Sequence, residues 1–169
     1  MKKRVLFMLI AGALAFSLCA CGGSNDSQDK TEQVAEYGIG DTWVVDGQWE
    51  LTITNVTETN DRNEFSEKKP AGVFNIDYTY KNIGYEDDSG IMSGLYIAID
   101  EQIIDSASNM GYSYPGNITS YPQETPVGAT CNAQACVGVD NAGSFKLNVS
   151  HYDGNGNEQK AVFNINLAE

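Results

Sequence analysis

Cys131 and Cys136 are the two thiols in the body of the chain, five residues apart in Thr130-Cys131-Asn132-Ala133-Gln134-Ala135-Cys136-Val137. Such a pair is suited either to a disulfide or to metal ligation, and the missing C-x-x-C partner and histidine cluster argue against metal. On one straight strand their Cα atoms would stand ~16 Å apart and point to opposite faces, out of a disulfide's reach. A bridge therefore predicts a bend at Asn132-Ala133-Gln134-Ala135. In surroundings outside the cytoplasm, which the amino terminus described below predicts, a bridge is favoured over two free thiols.

His151 is the single histidine. It falls on the same face as Val149 if the strand through Phe145 alternates, which predicts a packed or edge ring rather than a general base. No G-x-S-x-G elbow accompanies it, and no pair stands out among the 23 acidic residues for two-carboxylate chemistry. An enzyme is therefore not expected. Asp153, Asn155, Asn157 and Glu158 supply side-chain oxygens at a spacing like the start of a calcium loop. The pattern then breaks, because Glu158 stands where the invariant glycine belongs and Asn164 where the bidentate glutamate belongs. Alternating Gly and Asn equally make a hairpin turn, so Asp153, Asn155 and Asn157 predict a turn and no metal or cofactor. Tyr112, Tyr114 and Tyr121 lie within ten residues among Pro, Gly, Ser and Asn. On a loop they would offer rigid, amphipathic contact area for a ligand. Tyr112 and Tyr114 also fit the inward face of a short strand.

The amino terminus carries a different chemistry. Lys2, Lys3 and Arg4 precede an apolar run from Val5 to Ser17, followed by Leu18-Cys19-Ala20-Cys21 and then Gly22-Gly23-Ser24. The run is shorter than the ~20 residues a bilayer-spanning helix needs, so it reads as an export signal. Leu18 to Cys21 resembles the lipobox of bacterial lipoproteins, which implies cleavage before Cys21 and lipid on its sulfur. The expected location is the extracytoplasmic face of the cell membrane, with the lipid on Cys21 as the membrane contact. The ten basic residues fall to seven when Lys2, Lys3 and Arg4 leave with residues 1–20, against 23 acidic ones, so the net charge moves from −13 to −16. That surface repels phosphate backbones and anionic headgroups, which argues against nucleic acid as a partner.

Residues 21–36, the lipidated cysteine and a polar stretch with one valine and no aromatic ring, cannot bury enough surface to fold and read as a flexible linker. Its typical span is roughly 20 Å. From residue 37 to 169 the composition is that of a single domain with a core. Asp46-Gly47 between Thr42–Val45 and Gln48–Ile53 predicts a hairpin with a type I′ turn. The run from Thr57 to Lys69 is polar and reads as a loop. Phe74, Ile76, Tyr78 and Tyr80 alternate with Asn75, Asp77, Thr79 and Lys81, which marks a strand with one buried face. An acidic turn at 86–90 precedes a further alternation at Leu95, Ile97 and Ile99. A shorter strand is expected at Gln102–Asp105, before Tyr112-Ser113-Tyr114 and a long loop punctuated by Pro115, Gly116, Pro122 and Pro126. Extended segments follow at Gly128–Val139, at Phe145 to Val149 and at Ala161 to Leu167.

No window repeats with a helical period, and short strands with one apolar face each must pack as two sheets or close as a barrel. The expected fold is all-β, an immunoglobulin-like β-sandwich of about seven to nine antiparallel strands, preceded by a signal peptide and a disordered tether. The Cys-Trp-Cys order of true immunoglobulin domains is absent, since Trp43 and Trp49 precede both cysteines.

The lipobox, the tether, Gly40-Asp41-Thr42-Trp43, Tyr78-Thr79-Tyr80-Lys81-Asn82 and Pro126-Val127-Gly128 together resemble a group of Gram-positive lipoproteins. That group carries a domain of unknown function with an immunoglobulin-like sandwich akin to a secreted mycobacterial antigen. Val127 stands where members often have proline. The resemblance implies a fold and a surface location, with no catalytic residues to carry over. The expected role is a binding or interaction module for an extracellular protein, a peptide or an envelope glycan. The alternatives are an envelope hydrolase with a carboxylate site and a structural accessory subunit of a surface complex.

Overall fold

A computed structural model describes residues 34–87 and 94–167, all of which fall in one unit, Gln33–Glu169. The leader, Cys21, most of the linker and part of the acidic turn at 86–90 lie outside the described residues. The described chain is all-β, with no helix. It runs β1 (Ala35–Tyr37), β2 (Thr42–Val45), β3 (Trp49–Glu58), β4 (Gly72–Asn82), β5 (Gln102–Asp105), β6 (Tyr112–Ser113), β7 (Thr130–Val139), β8 (Phe145–Tyr152) and β9 (Glu158–Ile165).

Four strands form one sheet in the order β1-β9-β8-β5, and five form another in the order β2-β3-β4-β7-β6. The alternation read from the sequence explains why they pack together. Trp49, Leu51 and Ile53 of β3 and Phe74, Ile76, Tyr78 and Tyr80 of β4 turn one face inward, and Phe145, Leu147, Val149 and Phe163 of the other sheet meet them in a single core. Each such side chain contributes about 1.5–3 kcal/mol on burial. Two sheets sharing one core are consistent with a β-sandwich.

Several expectations are corrected. The strands are not all antiparallel, because β1 runs parallel to β9, with Ala35 opposite Ala161 and Tyr37 opposite Phe163. β1 also begins inside the stretch read as linker. Tyr37 stacks on Phe163 with ring centroids 5.4 Å apart, a contact that a lone tyrosine at the end of a polar run did not advertise. The β2–β3 connection is a three-residue loop, with Val45 paired to Trp49 and Gln48 N–H donating to Val45 O at 2.9 Å. Only Gly47 has positive φ there (69°), whereas a type I′ turn needs it at both central residues. β3 continues to Glu58 into the expected polar loop, across a bulge between Ile53 and Asn55. The extra residue returns Val56 to the inward side, where it packs against the core.

The disulfide expected between Cys131 and Cys136 is absent, and both thiols are free. β7 stays paired to β4 without interruption from Thr130 to Val139, so the required bend never occurs. The two side chains take opposite faces: Cys131 packs against the main core and Cys136 joins Val73 and Tyr114 on the outer side.

Candidate functional site

The run Leu95-Tyr96-Ile97-Ala98-Ile99-Asp100 was expected to be a strand, and it is not one. Its ladder contact is a lone bridge from Leu95 to Thr125, closed by two backbone hydrogen bonds of 2.9 Å. Tyr78 Oη donates to Ile97 O at 3.1 Å and holds its middle. The period-two alternation persists all the same. Leu95, Ile97 and Ile99 are buried in the core, which turns Tyr96, Ala98 and Asp100 the other way.

Those three residues form one wall of a cleft of about 470 Å³. Opposite them lies the loop from Ser113 to Pro122, and Gln134, Ala135 and Cys136 of β7 complete the lining. The loop is fixed to β7 at two points, Tyr114 N–H to Cys136 O (2.8 Å) and Gln134 N–H to Ser120 O (2.7 Å). Gln134 Oε1 also accepts from the Thr119 N–H at 2.9 Å, while its Nε2 donates to Asp77 Oδ1 at 2.7 Å. Asn55 Nδ2 reaches the other oxygen of Asp77 at 3.1 Å, so one polar row across three strands orients the side chain that holds the loop. A side chain at 116 would collide with Cys136 Sγ, which is why glycine stands where the loop passes the strand.

The three tyrosines separate. Tyr114 is buried and its hydroxyl accepts from the Asn63 N–H at 2.8 Å, so it anchors the loop while lining the cleft floor. Tyr121 is 63% exposed on the cleft rim. Tyr112 is not part of the cleft. It faces a second, shallower hollow of about 610 Å³ with Lys68, Lys69, Met110 and Asp140, where Lys68 Nζ sits 3.7 Å from its ring centroid. Tyr96, Asp100 and Gln134 complete the site and were missed; the polar half of the Leu95–Ile99 alternation was the available signal. At the floor, burial pushes the Cys136 thiol up to about 11, so it is protonated and unreactive at neutral pH.

The remaining candidates are structural. His151 packs its ring 5.2 Å from Trp49 and 5.3 Å from Tyr85, and its Nε2 and the Trp49 Nε1 are buried without hydrogen-bond partners. Asp153 Oδ1 accepts from the Asn155 and Asn157 N–H groups at 2.9 Å, and Oδ2 accepts from Gln159 Nε2 at 2.9 Å. Its oxygens are committed to closing a turn, and the Asn157 N–H bond is the main cause holding its carboxyl below the usual range. Asn157 turns its amide nitrogen toward Asp153, the reverse of a cation site. Among the described residues no group of three His, Cys, Asp or Glu side chains is placed to hold a metal.

Comparison with known proteins gives no match to any family model, curated protein or solved structure.

Proposed function

We propose that the chain is a lipoprotein anchored through Cys21 on the outer face of the cell membrane, carrying an immunoglobulin-like sandwich that binds a protein, peptide or glycan of the envelope. The observation that carries the binding role is the cleft between 95–100 and 113–122. It is walled by two accessible tyrosine rings, Tyr96 and Tyr121, and kept open by a loop tied down at Tyr114, Thr119 and Ser120. Open, aromatic-lined concavities with a few fixed polar groups are the usual form of binding sites. Asp100 is the one acid among the lining residues, which favours binding over hydrolysis by paired carboxylates. The immunoglobulin-like reading draws on β1 and β2, consecutive strands that enter different sheets. The anchoring reading draws on Leu18 to Cys21 and the basic and apolar segments before it.

Two measurements test the proposal. Labelled palmitate should enter the wild-type chain, whereas Cys21→Ala should take up none and appear in the medium; a Cys21→Ala chain that stays with the membrane refutes the anchor. The detergent-extracted chain should be retained by cell walls stripped of membrane, into which its lipid cannot insert, and Tyr121→Ala should lose most of that retention. Equal retention of the two would refute the cleft as the binding site.

A further inference from the structure

Asp100 is the only charged residue lining the cleft. It is partly buried, and no hydrogen bond or ion pair reaches its carboxylate among the described residues. Burial is the main reason Tyr78 and Cys136 at the cleft floor are hard to ionise, and the charge of Asp100 adds to it. Arg62, whose charge is felt by Cys136 at the cleft floor, is engaged elsewhere: Nη1 donates to Thr59 O at 2.7 Å and to Asp61 O at 3.0 Å, and Nη2 to Ala71 O at 3.5 Å. A carboxylate drawn out of water is stabilised most by a charged hydrogen-bond donor. Tyrosine faces attract the same kind of group through the ring quadrupole.

Among the described residues, a related arrangement stands at Tyr112. Lys68 Nζ lies 3.7 Å from the Tyr112 ring centroid, and the Tyr112 hydroxyl is 3.4 Å from Asp140 Oδ1. The cleft repeats the tyrosine and carboxylate of that arrangement, with Tyr96, Tyr121 and Asp100, and brings no lysine or arginine of its own. A chain of net charge −13 also draws cations toward any such recess and repels anions.

We propose that the cleft binds an organic cation, an ammonium or guanidinium group seated against Asp100 and flanked by the rings of Tyr96 and Tyr121. This rests on the binding role proposed above and names its ligand chemistry. The group can come from a free amine or from a basic side chain of a polypeptide, and the volume of the cleft accepts either.

Calorimetric titration of the full chain in detergent at low ionic strength tests it with three probes: butylamine, acetyl-Ala-Lys-Ala-amide and acetyl-Ala-Glu-Ala-amide. The lysine peptide should bind at least about tenfold more tightly than the glutamate peptide, and Asp100→Asn should erase that preference. Tyr121→Ala, at an exposed position, should weaken the lysine peptide by roughly two- to fivefold, which keeps the test valid should Asp100→Asn misfold. Butylamine matching the lysine peptide identifies a free amine as the source; a tighter lysine peptide identifies a polypeptide side chain. Equal binding of the lysine and glutamate peptides, or a folded Asp100→Asn chain with unchanged lysine-peptide affinity, overturns the proposal. Cell-wall retention that survives such a result leaves the binding role standing and removes only the cation.

Discussion

Two of the aromatic groupings among the described residues use similar side chains to opposite ends. In the first, Trp43, Trp49, Tyr85 and His151 fill one another's space, with Trp43 and Trp49 in an edge-to-face pair 5.6 Å apart and His151 against both Trp49 and Tyr85. In the second, Tyr96, Tyr114 and Tyr121 stand around a cleft. The difference lies in what satisfies the polar atoms. The closed cluster leaves Trp49 Nε1 and His151 Nε2 buried and without a hydrogen-bond partner, each at a cost of about 1–3 kcal/mol, while its rings pack against one another. Around the cleft the backbone is held by hydrogen bonds that the Tyr114 hydroxyl, Gln134 Oε1 and Ser120 O accept, so the rings need not touch to stay in place. Packing makes the first cluster a part of the fold, and hydrogen bonding frees the second for a ligand.

Removing the central ring of the closed cluster should therefore have the largest effect. Trp49 is fully buried, and Trp49→Ala leaves a cavity that two sheets cannot collapse to fill. The expected loss is about 3–5 kcal/mol by urea denaturation. A loss below about 1 kcal/mol would mean that the cluster is dispensable to the fold, and the contrast with the cleft would disappear.

His151 gives a smaller effect with a definite pH window. Burial lowers its pKa from the ordinary 6.5, and the charge of Asp87 opposes that only in part. The folded state thus resists taking up a proton that the unfolded chain accepts near pH 6.5. Stability is complete above that pH and declines as pH falls through it. Asp105 and Asp153, whose carboxyls are held below 3.8 by hydrogen bonds, lose their contribution only at more acid pH and do not cloud the window. His151→Phe keeps a ring between Trp49 and Tyr85 and should flatten the decline between pH 7.5 and 5.5 in denaturant melts. An unchanged slope would assign the pH dependence to another group.

The two clusters were unequally legible in the sequence. Alternation in Trp49 to Ile53 and Phe74 to Tyr80 marked the inward faces of β3 and β4 directly, since a residue's side of a sheet follows from its parity. It also placed His151 beside Val149. Parity could not show that Leu95–Ile99 lacks a ladder, because the hydrogen bonds of that run go to Tyr78 Oη and Thr125, partners far along the chain. The cleft depends on that run, so Tyr96 and Asp100 escaped notice while Tyr114 and Tyr121, clustered in a Pro- and Gly-rich segment, did not. The disulfide expectation failed at the same kind of point. Compartment chemistry favoured a bridge, but ten consecutive pairs between β4 and β7 hold Cys131 and Cys136 on opposite faces, and the geometric objection prevailed.

The smallest stability effect is expected at Tyr121, and it is the sharpest test of the contrast. Its ring is 63% exposed, and its neighbours rather than its own side chain hold the loop, through Ser120 O to Gln134 N–H and the paired Tyr80 hydroxyl and Gln123 backbone. Truncation at Tyr121→Ala should therefore change stability by no more than about 0.5 kcal/mol while stripping one wall from the cleft. Tyr114→Phe, by comparison, deprives the Asn63 N–H of its acceptor and should cost about 1 kcal/mol or more. Were Tyr121→Ala to cost more than about 2 kcal/mol, its ring would belong with the packed cluster, and the cleft would lose the accessible aromatic face on which its binding role depends.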